Sequence, residues 1–330
     1  MKFSLIICTY QRPEALLTLL NSVREQSLYP DQIIVVDGSK DNRSKIELDK
    51  NKFSNLDYFK VSSEKRGLTK QRNIGVDKLH ENINIACFLD DDIVLTPRYF
   101  ENLIAGFKRF PNAVGFGGYI LDESNWEKRN GAINYDEFEI DGFVRKLGSR
   151  NLLRKQLGLL SNKPPGVMPD FSNGLTVSFL PPTGEIYEVE YFMGGAAAYN
   201  TSIFRKIKFS SYFEGYGLYE DMDFCLRVGS YGKLYVNTAA TLYHYHEASG
   251  RPDYFKYGQM VINNGWYVWH LKYPRPTLKA LLKWVGTALL LILIRLGNTI
   301  NTEHRSQALG DALGRITALI TIPLNKNLKR

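Results

Sequence analysis

The N-terminal part of the chain alternates short apolar runs with amphipathic stretches. Three apolar runs, FSLIICT, QIIVVD and IACFLD, have the length of buried strands, and PEALLTLLNSVREQ places its apolar residues at helical spacing. This β-α-β order predicts a doubly wound α/β fold, in which a parallel or mixed sheet carries helices on its faces. Ligands of such folds bind at the carboxyl ends of the strands.

The periodicity weakens between residues 121 and 188, where Gly, Asn, Pro and charged residues are frequent. This composition predicts loops over a site or an inserted segment that selects a substrate. Regular patterns return with VEYFMGGAAAYNTSIFRKI, which predicts a strand followed by a helix. A helix start at YEDMDF and a strand at LYVNTAATLYHYH come next.

The C-terminal region predicts a helix that associates with a membrane. An apolar run of 11 residues, 284–294, lies between Lys283 and Arg295, and a bilayer span needs about 20. The run therefore favours a helix in the interface over one that crosses the bilayer. Aromatic residues ahead of it suit a headgroup boundary, although a buried core helix with an aromatic patch is a second interpretation. These residues are Tyr254, Phe255, Tyr257, Trp266, Tyr267, Trp269 and Tyr273.

Charge distribution separates this region from the rest of the 330 residues. The net charge is +8, and residues 251–330 contain 12 Lys and Arg against 3 Asp and Glu. Such asymmetry predicts an anionic partner. Phospholipid is favoured over nucleic acid because the basic residues interleave with an apolar helix. Three cysteines inside apolar runs predict reduced thiols and a cytoplasmic location. The first ten residues are expected to form a strand rather than a signal peptide, because their apolar run has only five residues.

Three consecutive aspartates, Asp90, Asp91 and Asp92, follow the apolar run ACFL. Carboxylate oxygens at a strand end suit Mg²⁺ or Mn²⁺, which also bind diphosphates. In an extended segment Asp90 and Asp92 point to one side and Asp91 to the other. Asp90 and Asp92 are therefore the predicted metal pair, with a solvated acidic turn as the alternative.

Two further motifs carry candidate chemistry. His244 and His246 end a predicted strand, where an imidazole either makes a structural hydrogen bond or joins the carboxylates on Mn²⁺. His244 is the preferred ligand of the two. Glu220 and Asp221 begin a predicted helix, where the exposed amides and the helix dipole favour an ionised carboxylate. Asp221 is the predicted general base.

Single polar residues at other strand ends add to this set. Asp37 can accept a hydrogen bond from a nucleobase or ribose, and Arg12 and Arg72 can offset the charge of a diphosphate. Their collective placement supports a nucleotide site more than any one of them does.

These segments together resemble the family 2 glycosyltransferases, which have the Rossmann-like GT-A fold. They follow one another in the family's order over most of residues 1–251. The matching pieces are IICTYQRPEALLTLLNSV, IIVVDGSKDN, RGLTKQRNIG, FLDDDIVLTP, MGGAAAYNTSIFRKI, YEDMDFCLRV and LYHYHEASGR.

The resemblance implies an inverting hexosyltransferase that takes a UDP, GDP or dTDP sugar and requires Mn²⁺ or Mg²⁺. Asp221 would be the catalytic base, Asp90, Asp92 and His244 the metal ligands, and Glu220 an acceptor residue. The nucleotide-sugar site would comprise Thr9, Arg12, Asp37, Arg72, Asp90, Asp91 and Gly195.

Two features depart from the family's pattern. The second strand ends VVDGS where many relatives have two acids, and the QxxRW signature of processive members is replaced by GQMVINNGW. The second departure favours addition of one or a few sugars. A sugar nucleotidyltransferase is an alternative, although no glycine precedes Gly38. A membrane-surface nucleotide-sugar-binding module with a degenerate site is another.

The predicted organisation is a catalytic domain over residues 1–275 and a basic, apolar helical tail over 276–330. Residues 1–120 would bind the donor and residues 121–275 the acceptor, a glycan or lipid-linked saccharide. Trp126 and Tyr135 are expected either as stacking platforms for the acceptor or as core residues. The expected setting is the cytoplasmic face of the membrane, in polysaccharide synthesis for the cell envelope.

Overall fold

The computed structural model describes residues 1–121, 125–213, 215–245 and 253–322. It divides into two compact units. Met1–Ser124 and Val177–Gly250 form the first, named here the sheet unit. Asn125–Thr176 and Arg251–Arg330 form the second, the helical unit. These boundaries differ from residues 120 and 275, and the assignment of donor and acceptor halves stays a prediction.

The strands are short and mostly buried. Within the described ranges they are β1 (Phe3–Thr9), β2 (Gln32–Asp37), β3 (Leu56–Lys60), β4 (Ile85–Asp90), β5 (Ile93–Leu95), β6 (Ala113–Ile120), β7 (Glu127–Lys128), β8 (Glu137–Ile140), β9 (Phe143–Lys146), β10 (Ile186–Val189), β11 (Ala196–Asn200) and β12 (Lys233–His244).

Helices make up most of the remaining regular structure. Among the described residues they are α1 (Pro13–Arg24), α2 (Arg43–Asn51), α3 (Leu68–Val76), α4 (Tyr99–Arg109), α5 (Ser149–Gln156), α6 (Glu220–Val228), α7 (Tyr254–Lys272), α8 (Leu278–Asn301) and α9 (Arg305–Thr321).

The sheet unit is built on a mixed sheet. Its described strands run in the order β10-β12-β6-β11-β4-β1-β2-β3, and β5 pairs with β12. The pairs β4-β1, β1-β2 and β2-β3 are parallel, whereas β11 lies antiparallel to both β4 and β6. The predicted α/β fold is thus confirmed, and the small residues after Gly195 form the antiparallel strand. The helix predicted after that strand is only a 3-10 turn at Thr201–Arg205.

Both faces of the sheet are covered, as the continuous apolar strands require. Alternate residues of β1, such as Leu5 and Ile7, pack in one cluster with the apolar sides of α1 and α4. Ile6 faces the other way and meets α3 at Gly75, where a Cβ atom would approach it to 2.5 Å. The helices therefore support the sheet from two sides, and the polar strand ends stay at its rim.

The helical unit contains a small antiparallel sheet, in the order β7-β9-β8, together with α5, α7, α8 and α9. Asp253 caps α7 by accepting from the Lys256 N–H at 2.9 Å, and Thr277 caps α8 through the Ala280 N–H at 3.2 Å. The region between residues 121 and 188 is thus partly ordered into a sheet and a helix where the sequence predicted loops.

Helix α8 is the one described helix with the length and composition of a membrane span. Its best 18-residue window has a mean hydropathy of 1.8, and 28% of that window is buried. The aromatic residues ahead of it are partly buried, because Tyr267 and Trp269 lie inside the unit and Trp269 stacks on Trp284. Tyr254 and Phe255 remain exposed.

Candidate active site

The topology brings three strand ends to one rim of the sheet unit. Strand β4 ends at Asp90, and Asp91 and Asp92 form the turn into β5. Parallel pairing of β1 with β4 places Thr9 beside this turn. Antiparallel pairing of β5 with β12 sets Ile93 opposite His244. Residues far apart in the sequence therefore meet because of strand order alone.

Asp91 points into the protein and braces the turn. It accepts a hydrogen bond from the Thr9 hydroxyl at 2.7 Å and from Arg12 at 3.0 Å. Arg12 also lies 3.5 Å from Asp92. Burial raises the pKa of Asp91 to about 6, although Thr9 and Arg12 lower it. These hydrogen bonds from Thr9 and Arg12 to the Asp91 side chain connect the end of β1 to the turn.

Asp90, Asp92 and His244 form a group able to hold a metal ion. One ligand atom from each lies within 4.8 Å of the others, and His244 Nε2 is 3.1 Å from Asp92 Oδ1. Two carboxylates and one imidazole fit Mn²⁺ well and Mg²⁺ less closely, because hard Mg²⁺ prefers oxygen ligands alone. His246 lies outside the described residues.

A buried ion pair lies next to this group. Arg72 and Glu220 are in direct contact, with side chains 3% and 5% exposed, and Arg72 Nη2 is 3.4 Å from Asp90. Burial acts to lower the pKa of Arg72, but the carboxylates of Glu220 and Asp90 outweigh it and raise that pKa. Burial also raises the pKa of Glu220 to about 8, against the effect of Arg72. Glu220 thus contacts Arg72, and its predicted contact with an acceptor stays a prediction.

Two glycines leave the space that these side chains occupy. A Cβ atom at Gly194 would lie 2.5 Å from Glu220 Oε1 and 2.7 Å from Arg72 Nη1. A Cβ atom at Gly195 would overlap the carboxylate of Asp90. Gly195 was expected at this site from the sequence and Gly194 was not, although the adjacent GG pair marks both as places of close approach.

Asp221 lies in the first turn of α6 and is held by two backbone donors. Its oxygens accept from the Gly194 N–H at 3.3 Å and from the Met222 N–H at 2.7 Å. Burial raises the pKa of Asp221 above its ordinary value, although both N–H groups lower it. From the position at a helix N-terminus we expected the ionised form of Asp221 to be favoured and its pKa therefore to be lowered. The opposite direction results from burial of the carboxylate, which the sequence does not show.

Asp37 ends β2 on the same side of the sheet and is fully buried. The Ser39 N–H and the Tyr58 hydroxyl each donate to it at 2.7 Å. Burial, followed by the hydrogen bond to Asp37, raises the pKa of Tyr58. Asp37 therefore shapes the loop after β2, and its predicted contact with a nucleoside stays a prediction.

The two aromatic residues predicted to stack on an acceptor belong to the helical unit. Trp126 lies under Arg145, 5.4 Å from the guanidinium carbon to the ring centroid, and near Phe138. Tyr135 is 58% exposed and meets the Lys155 ammonium at 4.4 Å. Both rings thus already have cationic neighbours.

Comparison of the sequence with known protein families identifies the family to which this chain belongs. The family model described as Glycosyl transferase family 2 matches residues 4–205, which include β1 to β6 and β11. The chain belongs to this family.

Curated relatives of this family 2 glycosyltransferase agree with that assignment. A glucosyl-dolichyl phosphate glucuronosyltransferase of Haloferax volcanii is 28% identical over 143 residues, 42% of this chain and 44% of the relative. The O-antigen chain rhamnosyltransferase RfbN of Salmonella typhimurium is 32% identical over 96 residues, 29% of each chain. The matches thus span less than half the length of these relatives.

The solved structure of GalNAc-T7 supports the fold of the glycosyltransferase. GalNAc-T7, crystallised with UDP, GalNAc and Mn²⁺, aligns over 79% of this chain and 47% of its own, with a TM-score of 0.52 and 16% identity. S. aureus TarS aligns over 99% of this chain and 50% of its own, with a TM-score of 0.48 and 17% identity. The mixed α/β sheet is that of the GT-A enzymes.

Proposed function

We propose that this glycosyltransferase moves a sugar from a nucleoside diphosphate to a hydroxyl group of a glycan or lipid-linked saccharide, with inversion at the anomeric carbon. The observation that carries the proposal is the Gly194-Gly195 pair. The Gly194 N–H holds Asp221, and the missing side chain of Gly195 makes room for Asp90. Two consecutive residues thus position the base and one ligand of the metal group.

Asp221 acts as the general base in this proposal. Its carboxylate removes the proton of the acceptor hydroxyl while that oxygen forms a bond to the anomeric carbon. The bond from that carbon to the diphosphate oxygen breaks on the opposite face. A raised pKa makes Asp221 a stronger base, and the Gly194 and Met222 N–H donors keep its carboxylate oriented.

Asp90, Asp92 and His244 would hold a divalent cation, which supplies Lewis-acid charge for the diphosphate when bound. Mn²⁺ fits the imidazole better than Mg²⁺. Arg72, held by Glu220, adds positive charge beside Asp90. In this arrangement Glu220 is a positioning residue for Arg72, rather than the acceptor contact expected from the sequence.

Residues at the ends of β1 and β2 would form the nucleoside side of the site. Thr9 and Arg12 fix Asp91 and therefore the turn that carries the metal group. Asp37 fixes the loop after β2. We propose that they act on the nucleotide through this backbone.

The relatives guide the choice of substrates to test. UDP and Mn²⁺ are the first pair, because GalNAc-T7 has the same fold and was crystallised with both. A lipid-linked or polysaccharide acceptor is supported by the names of the Haloferax and Salmonella relatives. Synthesis at the cytoplasmic face of a membrane fits the apolar helix α8.

The decisive experiment measures donor binding and sugar transfer separately. UDP, GDP, dTDP and CDP are each titrated with and without Mn²⁺ by calorimetry, and transfer is then followed with the sugar of the nucleotide that binds. Asp221→Asn should abolish transfer and leave donor binding within about twofold, because the amide keeps the shape but cannot accept a proton.

Asp49→Asn is the matched control, because Asp49 lies exposed on α2. Normal transfer by Asp221→Asn would rule Asp221 out as the base. Transfer of a nucleotide, with release of pyrophosphate, would support the nucleotidyltransferase alternative. The absence of binding to all four nucleotides in the wild-type protein would favour the degenerate binding module.

A further inference from the structure

Helices α8 and α9 carry exposed apolar side chains that the sheet unit's chemistry does not use. In α8 these are Leu278, Leu282, Leu289, Leu293 and Ile300, between 47% and 75% exposed. In α9 they are Leu309, Leu313 and Ile320, between 45% and 68% exposed. We define these eight residues as the leucine surface.

On each helix the exposed residues form one narrow stripe. At about 100° per residue, the five residues of α8 fall within an arc of about 60° and the three of α9 within about 40°. Leu296 lies on the same arc of α8 and Val285 about 20° outside it, and both are partly exposed. The opposite side of α8, including Ala280 and Trp284, is buried. One side of the helix thus packs inside the helical unit and the other is apolar and open.

The charges around the stripes are positive. The exposed residues Arg275, Lys279 and Arg305 lie at or near the ends of the two helices. Helix α8 has no acidic residue, and the one in α9, Asp311, is buried between Arg295 and Arg315. Glu303, in the short connection, is the exposed acid of this segment. A second copy of the chain would bring like charges together, whereas anionic lipid headgroups would neutralise them.

The length of uncharged helix argues against a crossing. Eleven residues separate Lys283 from Arg295, which is about 17 Å of helix against about 30 Å of hydrocarbon. Arg295 is also bound to Asp311 of α9 at 2.7 Å. This ion pair keeps α8 packed on α9 instead of free to insert alone.

We propose that the leucine surface is the membrane contact of this protein and that α8 lies in the plane of an anionic bilayer, with its stripe buried at the level of the upper acyl chains. This inference deepens the proposed membrane location. Because it concerns lipid binding without a donor or an acceptor, its failure would leave the proposal of sugar transfer untouched.

The first experiment is flotation of the full chain with vesicles of phosphatidylglycerol and phosphatidylcholine, compared with phosphatidylcholine alone. The double variant Leu289→Ser/Leu293→Ser should lower the partition coefficient on anionic vesicles by about a hundredfold, because two largely exposed leucines are lost. The matched control is Leu28→Ser/Ile46→Ser, which changes similarly exposed residues of the sheet unit. Circular dichroism and thermal unfolding of the full chain verify that both variants remain folded.

The second experiment measures depth. Leu282→Cys, Leu289→Cys and Ile300→Cys are made one at a time in a Cys8→Ser background, in which the remaining Cys87 and Cys225 are buried. Each introduced thiol carries a fluorescent label that spin-labelled lipids quench. Equal quenching by a shallow spin label at all three positions supports the in-plane helix. Strongly different depths would overturn it, because positions 282 and 300 are about 27 Å apart along the helix.

Three results would refute the proposal that the leucine surface binds the membrane. One is unchanged flotation of Leu289→Ser/Leu293→Ser, and another is equal binding of the wild-type protein to anionic and neutral vesicles. The third is a dimer that forms without vesicles, measured by ultracentrifugation, and disappears in the same variant. That outcome would assign the leucine surface to a second copy of the chain.

Discussion

Alanine at Gly194 and alanine at Gly195 should have different consequences, although the residues are adjacent. The new Cβ at position 194 would press on Glu220 and Arg72, whose side chains are buried and in contact with each other. The new Cβ at position 195 would press on Asp90, whose side chain is 38% exposed. The first pair has no free space, whereas Asp90 can turn toward solvent.

The structure sets the expected magnitudes. Gly194→Ala should destabilise the fold by about 1–3 kcal/mol, as overpacking of a closed interior does. Gly195→Ala should change stability by less than about 1 kcal/mol, because the displaced carboxylate reaches water. Gly195→Ala should weaken Mn²⁺ binding by at least about tenfold, since the new Cβ atom displaces the Asp90 carboxylate from its position in the metal group. The rate of sugar transfer by Gly195→Ala should decrease in parallel with its affinity for Mn²⁺.

Two measurements separate the variants. Thermal unfolding without metal should show a lower midpoint temperature for Gly194→Ala than for the wild-type protein. Calorimetry with Mn²⁺ and the nucleotide that binds should show a lower affinity for Mn²⁺ in Gly195→Ala. Gly229→Ala is the control, because its Cβ would meet nothing within 4 Å. Wild-type metal affinity in Gly195→Ala would refute the placement of Asp90 as a metal ligand.

Three further outcomes are expected. The transfer rate should fall as the pH is lowered through the raised pKa of Asp221, because only the ionised base accepts a proton; a pH profile of kcat tests this, and a flat profile contradicts it. Thr9→Val should cost about 1–3 kcal/mol in urea unfolding, because buried Asp91 loses a donor, whereas Thr18→Val on the exposed side of α1 should not. His244→Ala should weaken Mn²⁺ more than Mg²⁺, and equal losses in metal titrations would remove the imidazole from the ligand group.

The sheet could be predicted well because its signal is local. Apolar runs of five to seven residues ended by Thr9, Asp37 and Asp90 predict buried parallel strands with polar carboxyl ends, and the structure has them. The helical spacing of α1 likewise predicts the side that packs on the sheet. The antiparallel strand β11 and the small sheet β7-β9-β8 have weak patterns, because short strands with small or charged residues carry little periodicity.

The candidate site residues were predicted from the sequence, whereas the contacts between them are known only from the structure. The sequence singled out Asp90, Asp92, Asp221 and His244 from motifs and resemblance. It could not show that Glu220 contacts Arg72, since 148 residues separate them. The direction of the Asp221 pKa shift also depends on burial, which is a property of the folded chain.

The sequence by itself determined the family, the strand ends that carry carboxylates and the basic, apolar C-terminal region. Each of these features is a pattern of neighbouring residues and does not depend on contacts between distant segments. Tertiary structure decided which side of α8 is buried and which leucines remain open. It also decided that Gly194 and Gly195 leave room for the charged groups of the rim. These features depend on contacts between distant segments, and only packing of the chain brings such segments together.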